Sequence, residues 1–212
     1  MNEPIVYGSA VSTYVRTARM ALQEKGVPYK LEDVVFRSEE HRKLHPYAKI
    51  PAFRHGDVLL YETLAITEYI DSAFEGPALK PADPVGRART FQWISVINAY
   101  AFDALIVKYW TRYAFAKDGK PDMEAIEAAV PGLQRQLKLI DEGYGARSYL
   151  VGDKLTLADL FLAPIVSYAG SFPAGQAAIA GCPGILRGIE AIQSRESFKS
   201  TTPPPPPPRP GS

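Results

Sequence analysis

The chain is poor in the residues that crosslink or metallate small proteins. It has one cysteine, Cys182, and three histidines among 212 residues. A lone cysteine cannot close an internal disulfide and has no CxxC partner for redox or metal chemistry, so a reducing, cytoplasmic setting is expected. An excess of one charge is also missing. The 24 Lys and Arg against 23 Asp and Glu leave a net +1, which gives no electrostatic basis for nucleic acid or an anionic membrane as partner. The opening MNEPIVYG has no basic stretch leading into an apolar run, so no secretory signal is expected. No apolar run comes near the ~20 residues that span a bilayer. What is present suits a folded chain: 46% hydrophobic and 22% charged residues, with length for one large or two small cored units.

Ile5-Val6-Tyr7 is β-prone and ends at Gly8; a loop from Ser9 to Thr13 follows. From Tyr14 onward, Val15, Ala18, Ala21 and Leu22 fall at helical spacing until Gly26 and Pro28 stop the helix. Tyr29 to Val35 alternates as a second strand, and strand, helix, strand within about 30 residues reads as a βαβ unit with parallel strands. A short helix from Ser38 to Leu44 is broken by Pro46. Ile50–Phe53 and Val58–Tyr61, joined through His55-Gly56-Asp57, read as a hairpin. Thr63 to Phe74 is again helical in pattern.

Residues 1–75 thus carry βαβ, helix, ββ, helix. Residues 76–84 hold Gly76, Pro77, Pro81 and Pro84 and read as a linker. Over 85–200 the β signals vanish, and helices are expected at about Val85–Lys117, Asp122–Glu142, Thr156–Tyr168 and Gly184–Ser194. Leu155-Thr-Leu-Ala-Asp159 is a capping box, with Asp159 reaching back to the Thr156 N–H and Leu155 stapling against Leu160. Residues 201–212 contain six consecutive prolines, Pro203–Pro208, and then Arg209. This tail reads as a disordered polyproline II extension, or as a docking motif for an SH3-like partner.

Five features stand in a telling order: Tyr7-Gly-Ser-Ala-Val-Ser-Thr-Tyr-Val-Arg16, His45-Pro-Tyr-Ala-Lys-Ile-Pro-Ala-Phe53, Leu60-Tyr-Glu-Thr-Leu-Ala-Ile-Thr-Glu-Tyr-Ile70, the Pro-rich linker, and Leu155–Asp159. From Ile5 to about Ser200 the chain resembles the cytosolic glutathione transferase superfamily. The resemblance implies an α+β, thioredoxin-like N-terminal domain that holds glutathione as co-substrate, without a metal, and an all-α C-terminal domain that holds a hydrophobic electrophile. It also implies a cytoplasmic homodimer with a detoxifying role, in which Tyr47 is the aromatic key inserted into the partner and Asp103 reaches toward the neighbouring subunit's glutathione.

The resemblance assigns roles to individual residues. Ile50-Pro51 would be a cis peptide, with the Ile50 N–H and C=O pairing glutathione's cysteinyl segment as an added strand; an ordinary trans proline opening an edge strand is the plain alternative. Thr63 would cap a helix whose first amides take the γ-glutamyl carboxylate, and Glu62 would accept from the ligand's amino group. Lys49 would reach the glycyl carboxylate, with Arg37 a weaker candidate for it. His45 reads as a loop residue; His41 and His55 read as exposed and without a role.

Conjugation needs the thiolate, which is only a few per cent of a free thiol near pKa ~8.5 at pH 7. Lowering that value by about two units asks for ~2.7 kcal/mol of selective anion stabilisation. One hydrogen bond to a charged acceptor supplies ~1.5–3 kcal/mol. Ser12 resembles the catalytic serine of the phi, theta and zeta classes and would donate that bond, while also serving as an N-cap. Ser9, Thr13 and Tyr7 are alternative donors. Tyr14 stands where the zeta isomerases have cysteine, which argues against maleylacetoacetate isomerase activity; Cys182 cannot replace it. Among the aromatics of the long helix (Tyr100, Phe102, Tyr109, Trp110, Tyr113 and Phe115), Tyr109 and Tyr113 share a face at i, i+4 and are assigned to the electrophile pocket. The competing functions are a glutathione-dependent peroxidase or disulfide reductase, and a non-catalytic binding protein on the same fold.

Overall fold

A computed structural model describes residues 3–203; the Pro-rich tail beyond, with its expected docking motif, lies outside them. The first half is a four-stranded sheet with three helices. The strands are β1 (Ile5–Tyr7), β2 (Lys30–Glu32), β3 (Ala52–His55) and β4 (Val58–Tyr61), in spatial order β2-β1-β3-β4. β1 and β2 are parallel; β3 runs antiparallel to both β1 and β4. The second strand is shorter than its alternation suggests because β1 offers it only three residues, Ile5, Val6 and Tyr7.

Helix α1 (Thr13–Glu24) crosses between β1 and β2 and buries Val15, Ala18, Met20, Ala21 and Leu22. Helix α2 (Glu39–Leu44) is capped by Ser38, whose side chain accepts from the His41 N–H. Helix α3 (Thr63–Ala73) follows β4 and sets Ile66 and Ile70 in the core. Its first residue is Thr63, so the capping position falls on Glu62 rather than on Thr63 as the sequence suggests. Glu62 sits at φ 69° and makes no side-chain cap bond. The Ile50–Pro51 bond is cis.

The second half is helical. α4 runs from Pro84 to Ala114, started by Asp83, whose carboxylate accepts from the Gly86 N–H at 2.7 Å. Its middle is π-helical over Ile97–Ala101 and Asp103–Trp110. α5 (Met123–Tyr144), α6 (Leu157–Ala169), α7 (Pro173–Ala180), α8 (Pro183–Gln193) and α9 (Glu196–Thr201) complete the bundle. α7 and α9 have no counterpart in the sequence reading. α4 also departs from the expectation about apolar runs: its 31 residues include a window of mean hydropathy 1.2, enough by length and composition to cross a bilayer. Here Ile94, Ile97, Ala101, Leu105 and Tyr109 are fully buried in the bundle core, while Asp103 and Lys108 pair on its outside at 2.6 Å.

The halves are packed together through α1, which contacts α6 and α9 as well as α3. Thr17, fully buried, donates to the Leu160 carbonyl at 3.1 Å. Buried Arg16 donates to the Phe198 carbonyl at 3.0 Å and the Thr202 hydroxyl at 2.8 Å, and its guanidinium lies 4.0 Å from the Phe198 ring centroid. Lys25, on the last turn's far side, meets the Asp71 carboxylate at 3.3 Å and the Pro77 carbonyl at 3.2 Å, pinning the linker.

Candidate active site

Two cavities lie side by side along the seam between the halves. The first, about 290 Å³, holds most of the charged and hydrogen-bonding groups and is walled by Tyr14, His45, Lys49, Ile50, Pro51, Glu62, Thr63, Leu64, Asn98 and Phe102. The second, about 570 Å³, is mostly apolar; its wall includes Ser9, Val11, Ser12, Thr13, Phe36, Ile106, Trp110, Phe115 and Tyr168. Tyr14, Lys49, Ile50 and Phe102 border both. The two spaces therefore read as parts of one cleft.

The polar part is built where β4 hands over to α3. A helix start leaves its first N–H groups without intrahelical partners, and Glu62 gives them no side-chain acceptor. Those amides and the helix dipole make the Thr63 end of the cavity attractive to a carboxylate. Lys49 adds a cation to the same wall. Glu62, with its side chain exposed, adds an anion 4.0 Å from His45 Nε2. Burial lowers the His45 pKa, only partly opposed by the Glu62 charge, so the ring is neutral near pH 7. His45 is thus a buried wall residue rather than a simple loop residue. His41 is also buried, contrary to the sequence reading: its Nδ1 accepts from the Arg37 N–H at 3.1 Å and its Nε2 donates to the Lys49 carbonyl at 3.0 Å. This clasp holds the backbone that carries Lys49. His55 likewise bonds the Tyr69 hydroxyl at 2.9 Å. Arg37 itself is exposed, at φ 63°, and borders neither cavity.

Ser12 occupies the N-cap of α1. Its Oγ accepts from the Val15 N–H at a long 3.4 Å, and the hydroxyl keeps its proton free to donate into the cleft. Ser9 and Thr13 border the same cavity; Tyr7 does not, being paired within the sheet. Gly8, at φ 141°, lets loop and cis-proline segment close together: a Cβ there would lie 2.7 Å from Val15 Cγ2 and 2.9 Å from Ile50 Cβ. Tyr14 escaped the sequence reading as a site residue. Its hydroxyl donates to Asn98 Oδ1 at 3.0 Å and its ring packs on Phe102 at 4.7 Å. Burial, followed by the Glu62 charge, holds its phenol well above the ordinary value, so Tyr14 stays a neutral donor and cannot act as a tyrosinate base.

The apolar part corrects the assignment of Tyr109 and Tyr113. They do share a face of α4, with ring centroids 5.6 Å apart, but that face turns into the bundle. Tyr109 is fully buried and its hydroxyl accepts from the Gly175 N–H at 2.8 Å; Tyr113 stacks on Phe172 at 4.1 Å. The wall is formed instead by Ile106 and Trp110 from α4, with Trp110 stacked on Tyr168 at 4.6 Å and edge-on to Phe115 at 5.8 Å. Asp103 is engaged by Lys108 and borders neither space. Cys182 is buried in the bundle, donating to the Ala178 carbonyl, and burial raises its thiol pKa. Among the described residues no cluster of His, Cys, Asp and Glu is arranged to hold a metal.

Comparison with known proteins agrees with this architecture. Residues 6–78 match the family model "Glutathione S-transferase, N-terminal domain", and residues 102–185 match "Glutathione S-transferase, C-terminal domain". Glutathione S-transferase F7 of Arabidopsis thaliana is 30% identical over 175 residues, covering 77% of this chain and 82% of that protein. A stringent starvation protein A homolog of Haemophilus ducreyi is 29% identical over 155 residues, 72% of this chain and 68% of that one. The solved structure of glutathione S-transferase III in its apo form superposes with a TM-score of 0.84 at 28% identity, covering 98% of this chain and 100% of the other. With both halves of the cleft matched in sequence and the whole fold matched in space, the chain belongs to the glutathione S-transferase family.

Proposed function

We propose that the protein is a glutathione transferase that ionises the glutathione thiol and directs it at a hydrophobic, aromatic-bearing electrophile. The observation that carries this reading is the position of Ser12. Its hydroxyl lies at the start of α1, on the wall of an apolar space that adjoins the polar one through Tyr14, Lys49, Ile50 and Phe102. In this reading the γ-glutamyl carboxylate rests on the α3 amides with the Thr63 hydroxyl, and Glu62 takes the amino group. Ile50 pairs the cysteinyl segment beside Pro51, and Lys49 takes the glycyl carboxylate. The sulfur then points to Ser12, which donates a hydrogen bond and forms no covalent bond itself. The bound thiolate attacks the electrophilic carbon, the leaving group departs with its electron pair, and the thiol proton is lost to solvent.

Further parts of the same reading are a homodimer that uses Tyr47, 72% exposed, and a cytoplasmic, detoxifying role. One relative, a stringent starvation protein A homolog, is not named for a transferase activity, and the second reading is a binding protein on this fold without turnover. The test is retention on immobilised glutathione and a thermal shift at millimolar glutathione. Turnover of aryl halides against organic hydroperoxides follows, in wild type and Ser12→Ala. Binding with aryl halide turnover that falls in the variant supports the transferase, and hydroperoxide turnover alone favours a peroxidase. Binding without turnover favours the second reading, and no binding refutes both.

A further inference from the structure

The loop that carries Ser12 is held from the opposite half of the chain. Tyr168, in the last turn of α6, donates its hydroxyl to the Val11 carbonyl at 2.7 Å. The residue is 9% exposed and its ring stacks on Trp110 with an interplanar angle of 16°, so the hydroxyl is presented by a side chain with little freedom to turn. The loop's own bonds tie its ends: the Gly8 N–H donates to the Glu32 carbonyl at 2.8 Å and the Ser12 N–H to the Ser9 carbonyl at 3.0 Å. The Tyr168 bond acts on the same peptide plane as the second of these, because the Val11 C=O and the Ser12 N–H belong to one rigid unit, so that plane is held at both its polar groups. Rotation of that plane swings the Ser12 Cα–Cβ bond. The Ser12 N–H bond to Ser9 resists this at one edge of the plane and the Tyr168 bond at the other, while the Ser12 cap bond, at 3.4 Å, adds little.

We propose that Tyr168 is a positioning residue: by holding the Val11 carbonyl it fixes the direction in which the Ser12 hydroxyl points at the glutathione sulfur. This rests on the transferase reading above. Tyr168→Phe keeps the ring, the Trp110 stack and the cavity wall and removes only the hydroxyl. The readout is the ultraviolet absorbance of enzyme-bound glutathione thiolate, titrated against pH, with the glutathione Kd measured alongside.

The thiolate midpoint in Tyr168→Phe is expected to move up, so that bound thiolate and turnover at neutral pH fall by about two- to tenfold, the worth of one neutral hydrogen bond, while Kd stays within about twofold. In a Ser12→Ala background the same substitution changes turnover no further, since contacts acting through one group are not additive. An unchanged thiolate midpoint overturns the proposal, as does an equal fall in both backgrounds, which would mark Tyr168 as merely structural. If Tyr168→Phe melts too low to assay, a ¹³C-labelled Val11 carbonyl in the wild type decides: a shift matching a solvated amide overturns it. A wild type that binds no glutathione sinks the transferase reading; bound thiolate of equal midpoint in wild type and Tyr168→Phe sinks this inference alone.

Discussion

Asp159 gives the most exacting test of how this fold balances burial against hydrogen bonding. It is fully buried. Its Oδ2 accepts from the Thr156 N–H at 2.8 Å and the Thr156 hydroxyl at 2.9 Å, and its Oδ1 accepts from the Leu150 N–H at 2.8 Å. Burial outweighs those three bonds and lifts the carboxyl from 3.8 to about 6. The folded state therefore binds more protons than the unfolded chain between about pH 4 and 6, and this group's contribution to stability rises as pH falls through that window. A shift of about two units corresponds to roughly 3 kcal/mol over the full window, of which about 1–2 kcal/mol falls between pH 7.5 and 5.

Asp159→Asn has no such titration, and in either amide orientation its NH₂ faces one of the two backbone N–H groups. Urea unfolding of wild type and variant at pH 7.5 and pH 5 should show the difference moving in the wild type's favour by about 1–2 kcal/mol on acidification. Asp159→Ala leaves a further donor unsatisfied and should lie about 1–3 kcal/mol below Asp159→Asn at both pH values. A difference between wild type and Asp159→Asn that ignores pH, or moves the other way, refutes the reasoning.

Ser12→Ala should lower kcat/KM at neutral pH by about 10- to 100-fold, the worth of a hydrogen bond to a charged acceptor, with a stability loss below about 1 kcal/mol because the cap bond is long; urea melts and aryl halide kinetics check both. Gly8→Ala, which sets a methyl 2.7 Å from Val15 and 2.9 Å from Ile50, should weaken glutathione binding in calorimetry as the loop and the Ile50 segment part. Arg16→Met removes the bonds to Phe198 and Thr202 and should expose α9 to limited proteolysis well below the global melting temperature. Trp110→Ala should raise KM for an aromatic electrophile several-fold with little change in KM for glutathione, measured by varying each substrate in turn.

Much of the first half is legible in sequence because its signals are local. Gly26 and Pro28 end α1, His55-Gly56-Asp57 turns β3 into β4, and Thr63 opens α3 within one residue of where the pattern puts it. The Thr156–Asp159 box is local too, and the Thr156 N–H bond to Asp159 follows from spacing alone. The bond from Leu150, nine residues away, does not. The failures share that cause. His41 leaves no mark in the pattern because its partners, the Arg37 N–H and the Lys49 carbonyl, meet only once the backbone has folded back. Tyr109 and Tyr113 share one face, as their spacing predicts, yet the direction of that face depends on where α5 and α7 pack. α9 is six residues long, too short to show a period, and is held by Arg16 from the far end of the chain.

The same reasoning explains why α4 can serve both parts of the cleft. Asn98 and Phe102 border the polar cavity, while Phe102, Ile106 and Trp110 border the apolar one, a stripe stepping by four residues. In a regular α-helix each step of four overshoots a full turn by about 40°, so three steps from Asn98 to Trp110 would carry the stripe about 120° around the helix and out of the cleft. The π-helical segments over Ile97–Ala101 and Asp103–Trp110 widen the turn through i→i+5 bonding and slow that drift. Residues at i, i+4, i+8 and i+12 then look into one continuous space. Counting at 3.6 residues per turn is the wrong ruler for this stretch, which is why periodicity finds the helix but not its working face. The amide of Asn98 at one end and the aromatic surface of Phe102 and Trp110 at the other are thereby set along the cleft by a single helix, whose side chains change character along the stripe while its backbone keeps them aligned.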